Sequence, residues 1–157
     1  AICSTNDVLT NNWDANLNII LKGAQHCSQT IIPEMQKNGG GSIINIASVN
    51  GLIGLQGIHA YSASKGAIIS LTKSLAISHG ADNIRVNCIC PGPINTGMTA
   101  GIPEENKVIF AKRRTALGRY AEPEEVAHAT LSLVLPAMQY VTGVTLPVDG
   151  GLTIKNA

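Results

Sequence analysis

Charged side chains are scarce in this sequence: Asp, Glu, Lys and Arg make up 13% of its 157 residues, and the formal net charge is +1. So even a balance offers no broad field for nucleic acid or an anionic lipid surface. No apolar run approaches the ~20 residues of a membrane-spanning helix. Cys3, Cys27, Cys88 and Cys90 form no C-x-x-C pair and share no metal-ligand spacing with the four histidines, so no metal site is expected. Buried thiols in a reducing compartment, and hence a cytoplasmic protein, are expected instead. The opening AICSTNDVLT lacks the basic segment and apolar core of a secretory signal. It begins with Ala rather than Met, which suggests a processed or truncated chain. There is no internal repeat and no low-complexity tract.

Hydrophobic residues, by contrast, reach 45%. A chain of this length suits one domain able to bury roughly 70% of its unfolded surface. Part of the remaining apolar surface is expected to face a partner subunit. KRR at 112–114 is the one basic cluster, and it closes a helix expected to open with Pro103, Glu104 and Glu105. Acids at the start and bases at the end complement the helix dipole, a structural rather than a nucleic-acid-binding reading.

Trp13, Leu17, Ile20, Ala24, Cys27, Ile31 and Met35 recur at steps of three and four, tracing one stripe of a long helix that the glycines at 39–41 end. GSIINIAS at 41–48 and IRVNCIC at 84–90 are short and apolar, as expected of strands covered on both faces. The segment from His59 to His79 has the length of a parallel crossover helix, and Gly80 supplies its stop. PGPINTG at 91–97 reads as a loop, Pro123 opens a further helix that Pro136 stops, and VTLPV at 144–148 reads as a last strand. This order predicts an α/β fold with a parallel sheet and crossover helices. Only three strands are visible, few for a sheet covered on both faces.

Within that frame AYSASKG puts Tyr61 four residues before Lys65, on one face of the helix. A neighbouring ammonium favours a phenolate, which suits the phenol to proton exchange. With three tyrosines and seven lysines in the chain, the pair alone carries little weight. Ser48 stands at the carboxyl end of the preceding strand, where ligand crevices of open parallel sheets lie; a serine bonding its own turn is the structural alternative. The loop after the next strand starts at the same edge of the sheet. Gly92 there permits close backbone approach to a ligand, and Thr96 carries a hydroxyl.

Ser48, Tyr61 thirteen residues on, Y-S-A-S-K at 61–65, N-x-x-x-P-G-P-I-x-T from Asn87 to Thr96 and V-D-G-G at 148–151 together resemble the classical short-chain dehydrogenase/reductase family. The resemblance covers essentially the whole chain but only the second half of a family member. It implies a Rossmann-like doubly wound fold whose N-terminal half is missing, residues 1–157 forming the catalytic half as one domain. It also implies an NAD- or NADP-dependent oxidoreductase interconverting a secondary alcohol and a ketone. Tyr61 would be the general acid/base, Lys65 would hold the nicotinamide ribose and favour the Tyr61 phenolate, and Ser48 would hydrogen-bond the substrate oxygen. Pro91, Gly92, Ile94 (through its backbone) and Thr96 (through its hydroxyl) would line the nicotinamide end. The segment after Thr96 would form the substrate lid, and nothing in it demands an anionic or aromatic substrate.

Two departures from the family stand out. Where members read Asn-Leu-x-Gly, with the asparagine supporting a proton relay, this chain has Ile20-Leu21-Lys22-Gly23. Isoleucine cannot hydrogen-bond, so the relay would be impaired and Ile20 would extend the core stripe. The glycine-rich turn that seats the cofactor pyrophosphate is also absent. These features imply a fragment of a longer enzyme, with the 41–48 strand exposing an apolar edge. The helices over 13–37 and 59–79 would form a dimer interface within a homotetramer; the second carries Ala60, Ala63, Gly66 and Ala67, with Ile68, Ile69, Leu71, Leu75 and Ile77 around it, so that one face can serve the sheet and another a subunit, internal packing being the alternative. The competing reading is a non-catalytic, dehydrogenase-like interaction module.

Overall fold

The computed structural model of the chain describes residues 11–155; Cys3 lies outside the described residues. Among them, three parallel strands pair in the order β1-β2-β3: Gly41–Ile46, Ile84–Pro91 and Thr145–Val148. The crossover between β1 and β2 is α3, His59–His79, the span expected from its apolar pattern. Helices α4 (Glu104–Arg114) and α5 (Pro123–Val134) separate β2 from β3. The bases Lys112, Arg113 and Arg114 occupy the last turn of α4, opposite Glu104 and Glu105 in its first turn, as the dipole reading requires.

The long amino-terminal helix is not regular. It runs as α1 (Asn11–Asn16), a π-helical stretch (Leu17–Lys22) and α2 (Gly23–Lys37). A π turn closes i→i+5 and takes up an extra residue. Within α2 the inward face runs through Ala24, Ser28, Ile32 and Met35, at steps of four, four and three: Ser28 and Ile32 are buried, whereas Cys27 and Ile31 are exposed. The expected stripe holds through Ala24 and fails at Cys27 and Ile31. Burial of Ser28 leaves no unpaired hydroxyl, because its Oγ donates to the Ala24 carbonyl at 2.9 Å. Of the described thiols, Cys88 and Cys90 are buried as expected, and Cys27 is not.

Alternation along β2 sends Ile84, Val86, Cys88 and Cys90 to one face, against α2 and α3. Two clusters fill that layer. Ile32, Ala76, Ile84 and Val86 form one, and Ala47, Ile68, Ile69, Cys88 and Cys90 the other, with Ile20 packed against the second. Ile68 and Ile69 are thus core residues rather than a subunit surface, as is Ala60; Ala63 and Ile77 stay exposed. On the opposite face of β2, the Arg85 guanidinium donates to the carbonyls of Leu133 (2.7 Å), Met138 (3.2 Å), Val141 (3.3 Å) and Val134 (3.3 Å). It caps the otherwise orphaned carbonyl end of α5. Helices pack on both faces of β1 and β2, α2 and α3 on one side and α5 on the other. β1 has no neighbour on its outer side among the described residues, and Ile46 is 46% exposed, the apolar edge expected of this strand.

Candidate active site

The carboxyl ends of β1 and β2 lie side by side, with Ile46 opposite Ile89. Two residues beyond Ile46, Ser48 adopts an extended conformation and caps the short 3-10 turn Val49–Gly51, its Oγ accepting from the Asn50 N–H at 3.1 Å. The turn-bonding alternative is therefore realised. It does not consume the hydroxyl proton, which Ser48 can still donate.

A contact absent from the sequence reading fixes this turn on α3. A Cβ placed on Gly51 would stand 2.7 Å from the Lys65 carbonyl carbon and 2.9 Å from the Gly66 nitrogen. Only glycine allows so close an approach, and it brings the Ser48 turn to the helix at the level of Lys65. Tyr61 and Lys65 occupy one face of α3, with Nζ 5.6 Å from the centre of the Tyr61 ring. That ammonium donates to the Ile46 carbonyl at 2.8 Å, so one bond ties the helix face to the strand end that carries Ser48. Burial lowers the Lys65 pKa, opposed by charge interaction with the Cys88 and Cys90 thiols. The neighbouring Cys90 thiol lowers the Cys88 pKa to about 7, and the same neighbour pushes Cys90 up.

Pro91 closes β2 opposite Val148, and the Gly92 N–H donates to the Val148 carbonyl at 3.0 Å. A Cβ on Gly92 would lie 2.7 Å from the Asp149 Cα. The close approach expected of Gly92 is thus made to the chain's own V-D-G-G turn. Asp149 holds that turn by accepting from the Gly151 N–H (2.9 Å), the Thr153 N–H (2.8 Å) and the Thr153 hydroxyl (2.7 Å). Burial pushes its carboxyl pKa up, but these bonds outweigh burial and leave it lowered. Asn87, fully buried, bonds the Val141 carbonyl at 2.9 Å and the Val144 N–H at 3.1 Å, locking β2 to the approach of β3.

Ile94 bridges Ala121, and its carbonyl accepts from the Thr99 hydroxyl at 2.8 Å. Thr96 is exposed; its N–H donates to the Thr99 Oγ1 at 2.9 Å. Thr99, which the sequence reading passed over, therefore shapes the loop after Gly92, and a hydroxyl three residues beyond Thr96 was the available signal. A cavity of about 90 Å³ lined by Pro93, Leu117, Arg119, Val148 and Asp149 lies beside this loop rather than at Tyr61. Ile20 is half-buried in the α2/α3 layer. No group of three or more His, Cys, Asp or Glu suited to a metal occurs among the described residues. No described helix is long and apolar enough to cross a membrane.

The fold and this cluster define a Rossmann-like α/β protein with a serine, a tyrosine and a lysine gathered at the carboxyl edge of a parallel sheet. A family model described as Enoyl-(Acyl carrier protein) reductase matches residues 3–153. The chain is 43% identical over 143 residues to the 3-oxoacyl-(acyl-carrier-protein) reductase of Thermotoga maritima, an alignment covering 91% of this chain and 58% of that protein. It is 41% identical over 145 residues to meso-2,3-butanediol dehydrogenase of Serratia marcescens, covering 92% and 57%. Among solved structures, L-sorbose reductase from Gluconobacter frateurii, complexed with NADPH and L-sorbose, superposes with a TM-score of 0.91 at 27% identity over 99% of this chain and 64% of its own. A 4-hydroxyisoleucine dehydrogenase complexed with NADH gives 0.89 at 28%, covering 99% and 66%. The chain belongs to the classical short-chain dehydrogenase/reductase family, and it spans somewhat more than half the length of the curated relatives it matches.

Proposed function

We propose that the whole protein is an NAD- or NADP-dependent oxidoreductase interconverting a secondary alcohol and a ketone, and that residues 1–157 are its catalytic half. The observation that carries this reading is the placement of the Lys65 ammonium, 5.6 Å from the Tyr61 ring and bonded to the strand end two residues before Ser48. During ketone reduction the Tyr61 hydroxyl gives its proton to the carbonyl oxygen, and it takes the proton back in the alcohol direction. Lys65 stabilises negative charge developing on the tyrosine oxygen. Ser48, its oxygen already held by the Asn50 N–H, turns its own proton toward the substrate oxygen.

The residues present fit a nicotinamide group. The Thr96 hydroxyl and the Ile94 N–H make no hydrogen bond within the described residues, and Lys65 keeps protons beyond the one given to Ile46. Pro91, Gly92, Ile94 and Thr96 would hold the nicotinamide end and Lys65 the ribose. When bound, the reduced nicotinamide supplies the hydrogen and electron pair that a ketone requires. The relatives complexed with NADPH and with NADH support either cofactor. Association through 13–37 and 59–79 is part of the proposal, favoured by the exposed Ile19, Cys27, Ile31, Ala63 and Ile77 on those helices.

Ile20, in place of the family asparagine, favours a second reading, a dehydrogenase-like module without turnover. Substitution of Tyr61 by Phe separates the two. In the whole protein Tyr61→Phe should lower kcat by about 10²–10⁴-fold, the usual worth of a general acid, while cofactor binding followed by nicotinamide fluorescence persists. Unchanged turnover in that variant would remove Tyr61 from the chemistry. Cofactor binding with no turnover of any alcohol or ketone by the unsubstituted protein would favour the module.

A further inference from the structure

The substrate class can be narrowed from the two loops that leave the catalytic edge of the sheet. Residues 49–58 run from Ser48 to the start of α3, and residues 92–103 run from the end of β2 to α4. They emerge from the carboxyl ends of the neighbouring paired strands β1 and β2. Neither contains an Asp, Glu, Lys, Arg or His. Both expose large apolar side chains: Leu52 is 42% exposed, Leu55 53%, Met98 89% and Ile102 39%.

The charged groups on the elements around these loops are turned away or engaged, Arg119 beside Pro93 by both oxygens of the Glu125 carboxylate at 2.7 Å. His59 lies two residues before Tyr61 on α3, some 200° around the helix from it. Lys65 is bonded to the Ile46 carbonyl. Lys107, near the start of α4, lies 3.3 Å from the Asn95 amide oxygen, 3.7 Å from Glu104 and 5.8 Å from the centre of the Tyr120 ring. Lys112, Arg113 and Arg114 come only in the last turn of α4, roughly 12 Å along the helix from its start.

We infer that the substrate is a neutral ketone or alcohol with an apolar body, and that a carboxylate or phosphate near the reacting carbon is rejected. The inference rests on the oxidoreductase reading above and names its substrate class. An anion seated between these loops would give up water and gain no cation from either loop. An apolar chain would instead remove Leu52, Leu55, Met98 and Ile102 from water, and each added methylene it buries should raise kcat/KM by up to about fourfold.

The test compares three substrates of similar length with the whole protein and reduced cofactor: 2-octanone, 2-oxooctanoate and the methyl ester of 2-oxooctanoate. Turnover of 2-octanone and the ester, with 2-oxooctanoate slower by about a hundredfold in kcat/KM, is expected. The ester separates charge from shape. A free acid that is reduced as well as its ester overturns this inference and leaves the oxidoreductase reading standing. Turnover of none of the three overturns this inference, and the oxidoreductase reading falls only if no other alcohol or ketone is turned over either. Leu55→Arg, which places a cation in the first loop, should shift the ratio toward 2-oxooctanoate by at least about tenfold; an unmoved ratio also counts against the inference.

Discussion

Replacing Gly51 by Ala tests how Ser48 is positioned without touching any group proposed to react. The new methyl would meet the Lys65 carbonyl carbon at 2.7 Å, the Gly66 nitrogen at 2.9 Å and the Lys65 oxygen at 2.9 Å. Comfortable carbon contacts lie at about 3.5–4.0 Å, so the turn must retreat from α3 by roughly 1 Å. All three atoms are helix backbone and cannot swing aside as a side-chain tip would. Overpacking of this kind costs about 1–3 kcal/mol, which urea unfolding would measure. The retreat carries Ser48 with it, because the Gly51 N–H donates to the Ser48 carbonyl at 2.9 Å. A shift of roughly 1 Å between cooperating groups can cost about a hundredfold in rate. The expected outcome in the whole protein is therefore a fall in kcat of that order with a folded circular dichroism spectrum. Gly54→Ala is the control: in the same loop, a Cβ there meets nothing within 4 Å, and both stability and rate should stay near the unsubstituted values. A Gly51→Ala protein with unaltered rate and stability would refute the claim that this glycine docks the Ser48 turn.

Two further outcomes concern the scaffold. Arg85→Ala should destabilise the fold by about 2–3 kcal/mol, since it strips a charged donor from the carbonyls of Leu133, Val134, Met138 and Val141; urea midpoints would show it, and Arg85→Lys should restore only part of the loss. Glu125 is held down to about 2 by its bonds with Arg119, and then by the Glu122 N–H. A depressed carboxylate stabilises the fold above its ordinary value of 4.5 and loses that contribution as pH falls from there toward about 2. The unfolding midpoint of the unsubstituted protein should therefore exceed that of Glu125→Gln at pH 6 and converge with it near pH 2; a gap that widens on acidification would contradict the assignment.

Local periodicity made the Tyr61–Lys65 face legible. Four residues along a helix bring two side chains together whatever the rest of the chain does, and the span of α3 followed from its apolar run and Gly80. The same logic failed in the amino-terminal helix. From Ala24 a step of three reaches Cys27 and a step of four reaches Ser28; apolar character favoured Cys27 and Ile31, but the face that packs carries Ser28 and Ile32. The isoleucines of β1 made a strand with helices on both faces legible, and its unpaired edge followed from the small number of strands.

Glycine shows the boundary between what is local and what is not. Gly51 carried no expectation from the sequence, and closeness to a ligand was the expectation for Gly92. The structure instead spends the missing Cβ of each on the chain itself, Gly51 against the backbone of Lys65 and Gly66, Gly92 against Asp149. A sequence shows that a glycine is free to be approached but not by what. Both approaches lie at the sheet edge that carries the cluster, and each docks one of its loops, the Ser48 turn on α3 and the Pro91–Gly92 corner on the turn after β3. The precision proposed for the site therefore resides as much in two absent methyl groups as in the three side chains that would carry the chemistry.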